Sequence, residues 1–161
     1  MQTRFDKPEM LWTPEIWDAY DETRAYCREH GLELRDYGDR FEVYEPTIDD
    51  LRQLKKDEIA AARYAAETGG CMVDGVTIAT DRGSQALLTA AVVMARLDPE
   101  FKTQWKCADG RFKQLDAFQL RTIGDAVIAH VESCFAREGE LCEQIDAAQT
   151  PEELDAIQWS L

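Results

Sequence analysis

A chain of 161 residues with 45% hydrophobic side chains can bury a self-sufficient core, as one domain or one domain plus a small appendage, which excludes a disordered tail. Its formal net charge of -14, from 32 acidic and 18 basic residues, repels phosphate backbones and anionic headgroups, so general nucleic-acid and membrane-surface binding are disfavoured. The same charge serves solubility, or imitates nucleic acid toward a basic protein.

The opening MQTRFDKPEM lacks the apolar centre of a secretory signal, so none is expected. Thr13-Pro14-Glu15 then offers a helix cap with proline at the first helical position, and Ile16, Tyr20, Thr23 and Cys27 recur at helical spacing until Gly31. Residues 32–35 and 41–44 alternate apolar with polar around Tyr37-Gly38-Asp39, which predicts a hairpin with one buried face. Pro46 breaks that strand, and Thr47, Asp49 and Asp50 supply a cap and early negative charge for a helix running to about Thr68, closed by Gly69-Gly70. The joint at Glu45-Pro46-Thr47 is the expected module boundary, giving modules 1–46 and 47–161.

Asp74-Gly75, between Met72-Val73 and Val76-Thr77-Ile78, tolerates the positive φ angles of a two-residue type I′ turn and predicts a second hairpin. A strongly apolar helix follows from Asp81 or Arg82 to about Leu97, stopped by Asp98-Pro99. Its run 86–95 is interrupted by Thr89, and no apolar run reaches the ~20 residues that a bilayer requires. Asp109-Gly110, between residues 104–107 and 112–115, predicts a third hairpin.

From Asp116 onward, Leu120, Gly124, Val127, Val131, Cys134, Glu138, Leu141, Ile145 and Ala148 follow the spacing of a coiled-coil seam, which Gly124 and Glu138 spoil. Ile123, Ile128, Phe135 and Cys142 widen the stripe, so packing within a small bundle is favoured over an exposed seam. Thr150-Pro151-Glu152-Glu153 starts a short last helix. The expected class is α+β and mostly helical, a helical layer with short β-hairpins and a long C-terminal helix. The two central hairpins are too small to stand alone and are expected to pair with each other or to cap the helical layer.

Candidate sites are few. Ser84 in TDRGSQA follows a glycine as some hydrolase nucleophiles do, but the nucleophile elbow needs glycines where Arg82 and Ala86 stand. Asp81 is instead expected to cap the apolar helix, with Gln85 and Ser84 satisfying remaining donors. Neither histidine, His30 nor His130, lies in a catalytic motif. Cys27-x-x-His30 with His130-x-x-x-Cys134 has the ligand types of tetrahedral zinc, but buried thiols explain those cysteines as well, and no metal or cofactor is expected. The five cysteines, odd in number and without C-x-x-C, suit reduced cytoplasmic thiols. Paired carboxylates such as Asp57-Glu58 sit where negative charge complements helix dipoles, and no phosphate-binding loop is present.

One charge feature stands out against the acidic background. Lys102, Lys106, Arg111 and Lys113 cluster around the third hairpin with only Asp109 against them. With Asp109-Gly110 as a two-residue turn, Lys106 and Lys113 face each other and repel, which an acidic partner would relieve, for example residues 138–155 of another copy. This hairpin with Trp105, and the helix bearing Trp12 and Trp17, are the candidate partner-binding surfaces, core packing being the alternative for the three tryptophans.

The segments EIAAARYAAE, DGVTIATDRGSQ, ALLTAAVVMA, WKCADGRFKQLDA, AVIAHVESCF and IDAAQTPEELDAI occur in order over residues 51–157. Together they resemble a domain carried by tailed bacteriophages and prophages, often at the C-terminal end of tail-fibre-associated or tail-fibre-assembly proteins. The resemblance implies a structural or assembly role and brings no catalytic residues with it. It therefore implies a non-enzymatic chaperone or adaptor for a tail fibre or other tail component, homo-oligomeric, in the host bacterial cytoplasm or the virion tail. The alternative is an acidic nucleic-acid mimic that inhibits a host defence or DNA-processing protein.

Overall fold

The computed structural model describes residues 1–7, 12–107 and 110–160, and its backbone divides into two units, Met1–Gln53 and Leu54–Leu161. The fold is α+β and mostly helical, with strands only in short antiparallel pairings and a long helix near the C-terminus. Among the described residues no helix is long and apolar enough to cross a membrane.

The first unit contains β1 (Arg4–Asp6), α1 (Pro14–Glu29), β2 (Glu33–Asp36) and β3 (Arg40–Tyr44), with the strands ordered β1-β3-β2, all antiparallel. Strand periodicity puts Phe5, Leu34, Phe41 and Val43 on one face. Phe5 is buried and packs edge-on to Tyr20 at 5.3 Å, while Tyr20 lies 5.2 Å from Phe41. The other face is a charged ladder in which Glu42 takes Arg4 at 3.3 Å and Arg40 at 2.8 Å. β1 leaves little periodicity to detect, since its three residues hold a single apolar side chain. Thr13 stands at the cap of α1 without a side-chain cap hydrogen bond, so Pro14 carries the start signal. At the far end Gly31 has φ +68° and the Leu32 N–H donates to the Cys27 carbonyl at 2.9 Å, closing the helix.

α2 (Ile48–Thr68) spans the division between the units. It begins with a reciprocal box: the Asp50 N–H donates to Thr47 Oγ1 at 3.2 Å, and the Thr47 N–H donates to Asp50 Oδ2 at 2.9 Å.

The second unit continues with β4 (Cys71–Val73), β5 (Val76–Ile78), α3 (Arg82–Leu97), β6 (Lys102–Lys106), β7 (Phe112–Asp116), α4 (Ala117–Ala147) and α5 (Pro151–Ala156). Asp74 and Gly75 have φ of 49° and 75°, the signs that a type I′ turn needs. The hairpins β4-β5 and β6-β7 form separate two-stranded sheets, so they do not pair with each other. Each turns one face into the helices: Val73, Ile78 and Leu115 join Leu88, Leu120, Ile123 and Val127 in one core. Burying a side chain such as Leu88 there contributes about 1.5–3 kcal/mol.

α4 departs from the expected stripe in two ways. Ile128 and Phe135 are exposed by 56% and 46%, so they do not widen the buried face. Gly124, which looked like a defect in the seam, is a close approach of α3 to α4, since a Cβ there would stand 2.7 Å from Val92 Cγ2. Glu138 is not a defect either, because it accepts from Arg63 Nε at 3.0 Å and ties α4 to α2.

Candidate functional site

The TDRGSQ stretch joins β5 to α3 beside the end of α2, and its side chains converge on Glu67, which is fully buried. Glu67 Oε2 accepts from Arg63 Nη1 at 2.5 Å, and Arg82 Nη1 lies 3.0 Å from Oε1. Gln85 Nε2 donates to the Thr80 carbonyl at 2.7 Å and reaches Glu67 Oε1 at 3.4 Å, so this amide braces the joint instead of satisfying a free N–H of the helix. Thr80 Oγ1, also buried, donates to the Glu67 carbonyl at 2.5 Å and accepts from the Gly70 N–H at 2.9 Å. The pairing explains why a carboxylate can be buried here: two guanidinium groups and an amide replace its water.

Asp81 stands at the N-cap of α3, where its carboxylate accepts from the Ser84 N–H at 3.1 Å and from Ser84 Oγ at 2.5 Å. These two bonds hold the Asp81 carboxyl below its ordinary range, the hydroxyl contributing most. Among the described residues no hydrogen bond joins Ser84 to a histidine. His130 Nε2 lies 3.1 Å from the Ala66 carbonyl, and His30 Nδ1 lies 2.9 Å from the Tyr26 carbonyl. His130 Nε2 is also 3.9 Å from Cys134 Sγ, but among the described residues no group of three or more His, Cys, Asp or Glu is arranged to hold a metal ion. All five cysteines are free thiols, and burial raises those of Cys71, Cys134 and Cys142.

The basic hairpin differs from expectation in its register. Trp105 is opposite Lys113 and Lys106 is opposite Phe112, while the Cys107 N–H donates to the Arg111 carbonyl at 2.8 Å. The strands therefore close one residue away from a two-residue Asp109-Gly110 turn; Asp109 itself lies outside the described residues. A slip of one residue moves side chains to opposite faces. Lys102 and Lys106 thus lie on the outer face with the exposed Phe112, whereas Lys113 shares the inner face with Trp105. Lys106 and Lys113 do not repel each other across the strands, and Lys102 faces Asp116. The side chains of Lys102, Lys106 and Lys113 make no ion pair or hydrogen bond among the described residues. On the inner side, Trp105, Lys113 and Phe118 border an apolar recess of about 80 Å³, with Val73 and Val76 of the other hairpin.

The acidic stretch 138–155 is partly committed within the chain. Glu138 holds Arg63 and Asp146 meets Lys56 at 2.6 Å. In the first unit, Trp12 belongs to the aromatic cluster, 5.2 Å from Tyr20 and donating from Nε1 to the Asp6 carbonyl at 2.7 Å. Trp17 sits against Trp12 at 4.7 Å with 41% of its surface exposed, at the cluster's rim.

A further surface went unread in the sequence. Between α3 and α4 runs a groove of about 250 Å³ floored by Leu88, Val92, Gly124 and Val127, with Arg96 on its α3 side and Asp125 and Glu132 on its α4 side. The signal was present in ALLTAAVVMARL, whose apolar residues spread over more than one buried face requires and leave Thr89 and Arg96 on one polar stripe.

A family model described as "Domain of unknown function (DUF4376)" matches residues 50–158. No curated protein and no solved structure matches the chain.

Proposed function

The chain belongs to this DUF4376 family, and from that premise we propose that it is a non-catalytic phage or prophage protein that binds a tail fibre or other tail component as an assembly chaperone or adaptor. The reading starts from the motif resemblance over residues 51–157, which points to tail-fibre-associated proteins. The observation that carries it is the β6-β7 hairpin. In a chain of net charge -14, three lysines of this hairpin make no ion pair among the described residues, although Lys102 faces Asp116, and they flank an exposed phenylalanine and an apolar recess. An exposed ring, a recess sized for one side chain and unsatisfied cations suit an acidic segment with an apolar anchor. Such a protein works in the host cytoplasm during assembly, or stays with the tail.

Affinity capture from induced or infected cells tests the reading. Wild-type protein should retain a tail component, and Lys106→Glu with Lys113→Glu should lose it. Because the two lysines lie on opposite faces, the single variants separate the outer face from the recess. Undiminished capture by the double variant sinks the hairpin as the docking surface. Recovery of a basic nucleic-acid-binding protein in place of a tail component would favour the acidic-mimic reading, which rests on the net charge alone.

A further inference from the structure

α3 exposes more apolar surface than the chain covers, beside a polar stripe of Gln85, Thr89 and Arg96. Leu88 and Ala95 are buried, whereas Leu87 is 68% exposed, Leu97 75%, Val93 49% and Met94 46%. Scattered exposed apolar residues need no explanation, but Val93 lines a groove that continues the core: its floor residues Leu88 and Val127 belong to the core cluster, and Ile128 stands exposed on its α4 side.

The charges around the groove select its occupant. Arg96 on the α3 side and Asp125 and Glu132 on the α4 side make no ion pair among the described residues. Two copies carrying a charge of -14 each repel over most of their surface, so self-association requires a patch where opposite signs meet. We propose that this groove is the interface between two copies of the chain. In a two-fold pair the α3 side of each copy lies along the α4 side of the other. Arg96 of one copy meets the acidic pair of the second, and the contact is made twice. Val93 and Ile128, exposed in one chain, pass into the shared apolar centre. The inference stands independently of the tail-component reading, since it concerns a different face of the second unit.

Sedimentation equilibrium and light scattering on the full chain over a concentration series test it. Wild-type protein should form a dimer. Val93→Glu with Ile128→Glu should give a monomer with unchanged circular dichroism. Arg96→Glu should raise the dissociation constant roughly tenfold or more, and adding Asp125→Arg with Glu132→Arg to that variant should restore dimerisation. The charge series alters only surface residues, so it decides the matter even if the apolar variant folds poorly. A wild-type chain that remains monomeric throughout, as it would if the groove held a foreign segment, overturns the proposal. A dimer indifferent to both sets of substitutions does so too.

Discussion

Asp81 and Ser84 show how far a side chain's neighbours decide its role. The serine hydroxyl that resembles a nucleophile donates to the Asp81 carboxylate, and that carboxylate takes the Ser84 N–H at the first turn of α3. Asp81→Ala should lower the midpoint of chemical denaturation by removing the cap. Ser84→Ala should lower it less, because its N–H remains, and should leave affinity capture of partners unchanged; loss of capture without loss of stability would restore Ser84 as a functional residue. Asp50 gives a pH prediction. Hydrogen bonds from the Thr47 hydroxyl, the Tyr44 hydroxyl and the Thr47 N–H, in that order, lower its carboxyl from 3.8 to about 2. A depressed carboxyl stabilises the fold above its ordinary value, and that contribution is lost as pH falls through about 2. Amide exchange at the start of α2 should therefore accelerate as pH falls from about 4 toward 2, after correction for intrinsic rates; a carboxyl titration by NMR near the ordinary Asp value would contradict this. At the same scale, the sequence marks Asp81 as a cap but is silent on Glu67, which looks like one more surface acid on a helix. Only the return of Arg82 and Gln85 from the next helix shows it to be buried and paired.

Among the elements, α4 offers two glycines with opposite expectations. A Cβ at Gly124 meets Val92 Cγ2 at 2.7 Å, whereas one at Gly139 meets nothing within 4 Å. Alanine is favoured over glycine in a helix by about 1 kcal/mol, while overpacking at a tight crossing costs about 1–3 kcal/mol. Gly139→Ala should raise the melting temperature and Gly124→Ala should lower it, with Val92→Ala relieving the clash of the second. A stabilising Gly124→Ala would show that α3 and α4 do not meet this closely. Element types and ends were largely legible because caps, Asp-Gly turns and periodicity are local. Thr47, Pro14, Gly31 and Asp74-Gly75 each act within a few residues. The register of β6-β7 was not: the Cys107 to Arg111 closure places Lys106 and Lys113 on opposite faces, and a single Asp-Gly pair does not state how many residues its loop contains. β1 escaped notice because its partner β3 lies far along the chain.

For the whole molecule, the excess of acid and the apolar helix make opposing demands. Charge keeps copies apart, and an uncovered α3 draws them together, so association is confined to the face where Arg96, Asp125 and Glu132 offer complementary signs. Dimerisation also couples stability to concentration. The same equilibrium should thus be visible as a melting temperature that rises with protein concentration in the wild type and stays constant in the Val93→Glu, Ile128→Glu variant. The sequence by itself determined what short-range chemistry can determine: the α+β class, the helices and their caps, the type I′ turn, and an acidic surface that disfavours binding to phosphate backbones. Tertiary structure alone decided which charges are spent internally, as at Glu67 and Glu138, and which remain available, as at Lys106 and Lys113. It also decided that Gly124 is a contact and that α3 has a face without cover. The physical reason is that a side chain's charge and apolarity are local properties, whereas its burial and its partner depend on segments far away in the chain.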